Sequence, residues 1–500
     1  MIDLGRVILR RTGALGITAA AMILVAATAA HAQWPGDPAV NLSIADRPSE
    51  QVVPLVAGRS DGGTYVAWRD KSPGHYVVYL QRLNAAGVEQ WPHNGILISD
   101  HPQNSALFGW DMKVDSADNA VLVFSDQRYL GRLNTFAYRV GPGGEMLWGP
   151  NGVQLSFSSN RDNDAPIVAE ASNGDFVSVW SSFPDVGDGV IQMQRLTAGG
   201  VPLLAQGGIP VVASAGETPG FAAIVPAEHG NVILSWVRNM TISSATRYIR
   251  ANKFSPAGTP LWASNTEVYN ALSVPVGYQH LMVPDEAGGA VIAWHRSDGT
   301  YYNSFVQHID KSGAEVFPHN GVAVSTTAGF FHIGPGLAYD KSTQESFVFW
   351  DERTPSASAF GVYGQKFSRT GGRQWGNGGA VLIPMNSVTK SIPRVGAYGG
   401  GAMVFFLDQP TGYGTDRLLG MRVDGSGTQI WAGSPVLIAS TPSSKLRYPL
   451  AMAPNGVVTL VWEDNRNGSV DVFGQNIGPT GNLGPSAILG SVGVTPRVKK

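Results

Sequence analysis

Three acidic–basic pairs in this 500-residue chain could move protons: Asp126/Arg128, Asp351/Arg353 and Asp464/Arg466, with Asp70/Lys71 as a degraded copy. Each follows an apolar run that ends in an aromatic residue. A carboxylate beside a cation can serve as a general acid or base when its surroundings tune it toward neutrality. The spacing argues against that here. A catalytic constellation is one asymmetric site, whereas these pairs recur along the chain. They read more simply as loop braces, the carboxylate accepting backbone N–H groups and the cation pairing beside it. Four other acids, Asp111, Asp162, Asp164 and Asp416, fall near loops that do not repeat. Glycoside hydrolysis would need two such groups converging on one pocket, and spacing alone does not pair them.

Histidines offer little metal chemistry. His280, His295 and His308 lie close in sequence without ligand-like spacing, and His93 and His319 share a repeated Pro-His-Asn-Gly turn. The chain has no G-x-S-x-G, H-E-x-x-H or P-loop. No metal or cofactor is expected. Aromatic residues with small and amide neighbours are the better binding candidates, because flat rings stack on sugars and grip peptides. The set is Trp110, Tyr129, Tyr278, His280, Phe331, His332 and Tyr413, with Phe108, Tyr301, Tyr302 and Phe330 nearby. For any one of them, plugging the inner rim of its own repeat is an equally good explanation.

The elements that position these groups are strands. Apolar, alternating runs end in Trp68, Phe124, Trp180, Trp236, Trp294, Trp350, Phe406 and Trp462, 56 residues apart except for one step of 58. Each period carries four strand signals separated by Gly, Asn, Asp or Pro turns, and no stretch shows a 3.6-residue stripe. Eight such units predict an all-β, eight-bladed propeller of four-stranded antiparallel blades. The anchor aromatics should pack between blades. The glycine entering strand four recurs from Gly87 to Gly481, as a hairpin turn with positive φ requires. Strand three carries a basic residue at Arg82, Arg139, Arg195, Lys253, His308, Lys366 and Arg422, read as an exposed or braced position. Residues 34–44 match a fourth-strand segment with no preceding three. The ring is therefore expected to close through this N-terminal outer strand, with the segment from Gly481 onward competing for the place.

The combination W-x-D-x-R, then V-Y-G-Q-K/R-F/L, then a glycine turn to Trp resembles the repeat of secreted bacterial β-propeller proteins. Residues 350–375 and 462–477 carry it best. The resemblance implies a blade and no particular activity.

Arg6, Arg10 and Arg11 precede an uncharged, Ala-rich run that ends in Ala30-His31-Ala32. That is the layout of a cleaved export signal. The expected organisation is a signal peptide over 1–32, a propeller over 33–490 and a tail over 491–500. Segment 1–32 holds three Arg and one Asp, so the remainder is near −4 from the total of −2. So small and dispersed a charge gives no reason to expect nucleic acid as partner. Cysteine is absent, which excludes disulfides, thiol catalysis and cysteine metal sites. The first functional expectation is an exported, non-catalytic binding or scaffold propeller, monomeric, with a glycan or peptide ligand. The alternative is a secreted enzyme, hydrolase or lyase, acting on polysaccharide.

Overall fold

The computed structural model describes residues 33–485 except 104, 130, 242–245, 276 and 278. The segments expected to be an export signal and a tail, and Tyr278, lie outside the described residues. Eight antiparallel sheets follow one another around an axis. Blade 1 is built from Gln51–Gly58, Thr64–Asp70, Tyr76–Leu83 and Ile96–Gln103, and blade 2 from Trp110–Val114, Ala120–Asp126, Asn134–Val140 and Val153–Gln154. The same plan repeats to blade 8, whose second and third strands are Val458–Asp464 and Asp471–Ile477. The chain is an eight-bladed β-propeller. A single 3-10 turn, Glu228–Gly230, interrupts the described strands, and no described helix is long and apolar enough to cross a membrane.

The first strand of each blade lines a central channel, and the second carries the anchor aromatic. All eight anchors are at most 1% exposed. Each fills the space between adjacent sheets. Trp68 packs with Ile44 and Val461 of blade 8, and Trp180 packs with Val121 and Val123 of blade 2. Emptying such a site costs about 3–5 kcal/mol, which explains why the position repeats.

Neighbouring blades are also clasped by the strand-three cations. Arg82 donates to Pro142 O (2.9 Å), Arg139 to Ala198 O (2.8 Å), Arg195 to Gly230 O (2.8 Å), Lys253 to Lys311 O (2.7 Å) and Arg422 to Pro479 O (2.8 Å). Each acceptor belongs to the following blade. Strand-four indoles reinforce the clasp: Trp148, Trp262, Trp375 and Trp431 donate to carbonyls of the same next-blade turns. Those rings explain the conserved turn glycine twice over. Gly200 has φ +82°, and a Cβ there would lie 2.6 Å from the Trp148 ring.

The ring closes as expected. Leu42–Ala45 pairs antiparallel with the third strand of blade 8, Leu42 opposite Gly474 and Ser43 opposite Phe473. Trp34 takes the role of a strand-four indole, its ring against Gly87 of blade 1.

Candidate functional site at the channel mouth

The repeated charges are braces. Arg128 grips Asp126 through two nitrogens, with a shortest contact of 2.6 Å, and the Asp126 carboxylate also accepts the Arg128 N–H. Arg466 holds Asp464 through its Nη2 (2.6 Å), and the Asp464 carboxylate likewise accepts the Arg466 N–H. Two details depart from expectation. Lys71 does not pair with Asp70; it turns to Glu50 (3.4 Å), which also accepts the Tyr76 hydroxyl (2.7 Å). Asp351/Arg353 is not structurally equivalent to Asp464/Arg466. The anchor indole reaches the side chain two positions on, because alternate strand residues share a face. Trp462 therefore bonds Asp464 (2.9 Å), whereas Trp350 bonds Glu352 (2.6 Å) and leaves Asp351 on the opposite face.

At the end of the channel reached by the loops between strands two and three, the first strands begin with bulges. The register slips between Val52 and Leu55, Asp164 and Ile167, Gly220 and Ala223, Ile333 and Gly336, and Ser391 and Arg394. Val53 (φ 51°), Ala165 (φ 53°), Phe221 (φ 50°) and Arg447 (φ 45°) stand in the left-handed region. Such strain in a β-branched or bulky residue persists only where surroundings enforce it. For Val53 the enforcing partner is Glu463, whose carboxylate accepts the Val53 N–H at 2.7 Å. Bulges re-aim side chains, and here they open a mouth.

The mouth is a cavity of about 820 Å³, continuous through Trp110, Lys113, Gln279, Leu281 and Arg394 with a second part of about 460 Å³. Its larger part is walled by Phe108, Trp110 and aliphatic side chains, and its charged groups are Lys113, Arg394 and Arg447, with no carboxylate. In the smaller part Asp111 pairs with Lys113 (2.9 Å) and accepts the Val168 N–H (3.1 Å). Arg447 is held by Glu463 (2.7 Å). Arg394 has no ion-pair partner among the described residues; its guanidinium lies 5.8 Å from the Tyr448 ring.

Two of the seven aromatic and histidine candidates meet in the mouth: Trp110 and His280. His280 is 1% exposed, its Nε2 is 2.6 Å from the Ser235 hydroxyl, and burial pulls its pKa down to about 4. Phe331 and His332 sit together at the rim of blade 6. Phe331 meets Tyr301 and Tyr302 edge-on. His332 is buried against Trp350, with Nδ1 2.9 Å from Asn303 Oδ1. Tyr301 and Phe330 line a separate cavity of about 240 Å³ there. Tyr129 and Tyr413 stand apart and exposed, Tyr413 at 88%. Of the four acids, Asp162 holds Arg132 (3.3 Å) and the Leu133 N–H, and Asp416 is buried holding Gln409 (2.6 Å) and the Lys445 N–H. Asp164 accepts its neighbour's N–H at Ala165 (2.6 Å), and burial raises its pKa against the pull of that bond and of Arg69.

Sequence reasoning missed Lys113, Arg394, Arg447 and a further set. The position directly after each anchor does not repeat: Arg69, Ser125, Ser181, Val237, His295, Asp351, Leu407 and Glu463. This variation beside an invariant aromatic was a legible signal. Among these residues Asp351 is 2% exposed, and burial pushes its pKa up to about 6 although Arg353 opposes the shift. A carboxyl raised in the fold contributes most below its ordinary pKa, and that contribution is lost as pH rises through about 6. Asp351→Asn should therefore gain stability relative to the parent between pH 4 and 7, by roughly 3 kcal/mol at most. Chemical denaturation at a series of pH values checks this; a difference independent of pH would contradict it.

No protein-family model matches the chain, and no curated protein matches it. Solved structures do. An ulvan lyase of polysaccharide lyase family PL25 aligns over 91% of this chain and 96% of its own at 10% identity, TM-score 0.47. A second polysaccharide lyase aligns over 87% and 91% at 9% identity, TM-score 0.43. An α-L-arabinofuranosidase of Fusarium graminearum aligns over 65% and 96% at 12% identity, TM-score 0.35. At these identities the likeness concerns architecture. The neighbours are two polysaccharide lyases and an arabinofuranosidase, which runs against the first expectation: the non-catalytic binding or scaffold reading is not carried forward.

Proposed function

We propose that this protein is an exported enzyme acting on polysaccharide, with the sugar chain held across the channel mouth. The observation that carries the reading is the convergence of Lys113, Arg394 and Arg447 with the Trp110 and Phe108 rings on one cavity of a ring that otherwise repeats. Aromatic faces offer platforms for sugar rings. Lys113 and Arg447 are paired with Asp111 and Glu463, which leaves Arg394 as the cation of the recess without an ion-pair partner among the described residues; that charge favours an anionic sugar and counts for more there than in water. The lining suits a uronate better than a neutral glycan. It also suits chemistry that builds negative charge on the substrate better than two-carboxylate hydrolysis, since preorganised cations stabilise such charge. Asp164, whose carboxylate meets the N–H of the mouth-lining Gly109, and Asp351 are the candidate proton donors; burial raises both.

The test is incubation of purified protein with a panel of acidic and neutral polysaccharides. The reading expects new chain ends from an acidic member. Absence of cleavage across both classes would overturn it.

A further inference from the structure

Arg69 follows the anchor of blade 1 and is fully buried. Its Nη1 donates to Ser105 O (2.9 Å), but its Nε and Nη2 have no hydrogen-bond partner. The amide nitrogen and oxygen of Gln103 and the indole N–H of Trp110 are likewise buried and unpartnered. Strand register gathers these groups. Arg69 is opposite Val78, and Tyr76 is opposite Gln103, so Arg69, Tyr76 and Gln103 leave blade 1 on the face toward blade 2. Trp110 opens the first strand of blade 2, its ring centroid 5.4 Å from the guanidinium. Among the described residues no carboxylate lies within ion-pair distance of Arg69. Asp164 feels its charge but spends its hydrogen bonds on backbone N–H groups at Ala165 and Gly109.

A buried charge without a counter-charge is costly, and each orphaned buried donor adds to that cost. Among the described residues four such donors, two of them Arg69's own, stand with one unpartnered acceptor, Gln103 Oε1. We propose that this pocket between blades 1 and 2 is an oxyanion subsite, taking a carboxylate or sulfate group through Arg69, Gln103 and the Trp110 N–H. Trp110 joins it to the mouth, since its ring lines that cavity. Entry lies past the Ser105–Gly109 segment, most of which forms a wall of the mouth. The substrate's own carboxylate is one source of the anion, and that part rests on the function proposed above; a free inorganic anion is the other.

Thermal unfolding and calorimetric titration at constant ionic strength, with sodium sulfate and separately with sodium glucuronate, test the subsite. The expected result is saturable stabilisation by at least one of them. Arg69→Met, which removes the charge but keeps the stem, should melt no lower than the parent without anion and lose the response. Gln103→Leu should weaken binding about tenfold, equivalent to roughly 1.4 kcal/mol. A response to glucuronate assigns the site to the sugar carboxylate; a response to sulfate alone assigns it to sulfate, esterified or free. No saturable response to either anion, or an undiminished response in Arg69→Met, overturns the subsite. Saturable binding without polysaccharide cleavage would retain the subsite and remove the enzymatic reading; cleavage without any anion response would do the reverse.

Discussion

A chain beginning at residue 47 will fail to show the cooperative thermal transition of one beginning at residue 33. The missing segment supplies the outer strand of blade 8 and adds to the contacts between the last blade and the first. Trp34, Leu42 and Ile44 are each at most 2% exposed. At about 1.5–3 kcal/mol for each buried apolar side chain, their loss costs roughly 5–9 kcal/mol. Polar latches go with them. Arg466, already bound to Asp464, also donates to Val40 O (3.1 Å) and Asn41 Oδ1 (3.0 Å). Gln475 donates to Pro35 O (2.7 Å), and Asn41 donates to Ile438 O (2.9 Å). His93, whose pKa its bonds to Glu89 and Asp46 raise to about 9, ties the end of this segment to blade 1. Set against a total stability of about 5–15 kcal/mol, removal leaves little. Calorimetry of the two chains decides the matter. A truncated chain melting within a few degrees of the longer one would mean that another segment closes the ring.

Replacing Arg394 with Ala will lower kcat/KM on an acidic polysaccharide roughly 100-fold, the loss expected when one preorganised donor to developing charge is removed. Arg394 is singled out because it borders both parts of the mouth and, among the described residues, has no carboxylate to neutralise it. Its charge is therefore available to a ligand. Arg447 is committed to Glu463, which in turn holds the strained Val53 backbone. Arg447→Ala should consequently disturb stability as well as activity. Steady-state kinetics with melting curves as a control separate the two. Activity of Arg394→Ala within twofold of the parent would remove Arg394 from the site.

The propeller was legible because its core is written as a spacing. An aromatic every 56 residues and a positive-φ glycine entering each fourth strand are demanded by packing and turn geometry. Both recur visibly in the amino-acid sequence. The braces were legible in kind but misaligned in blade 6. Trp-Asp-Glu and Trp-Glu-Asp look alike, and only the pleat shows that Glu352, and not Asp351, shares a face with its indole. Lys71 stands just past its strand, where its backbone N–H and ammonium meet Glu50 at the entry to the neighbouring strand and not Asp70.

The site was less legible. Trp110 and His280 were reached by asking which aromatics and histidines break the repeat. Arg394, Lys113 and Arg447 are neither aromatic nor histidine, so that question does not reach them. What turns these side chains into one mouth is a set of bulges at residues such as Val53, Ala165 and Phe221. None of these residue types favours a left-handed backbone, so local propensity predicts the opposite. The bulges are imposed by tertiary contacts, such as Glu463 on the Val53 N–H, between residues more than 400 positions apart.

The most direct test of the central claim uses one acidic polysaccharide in two forms, native and with its carboxylates chemically reduced to alcohols. Chain scission by the purified protein is measured on both. A cationic mouth that works on anionic sugar predicts scission of the native polymer and none of the reduced one. Equal scission of the two forms, or none of either across the acidic panel, would contradict it.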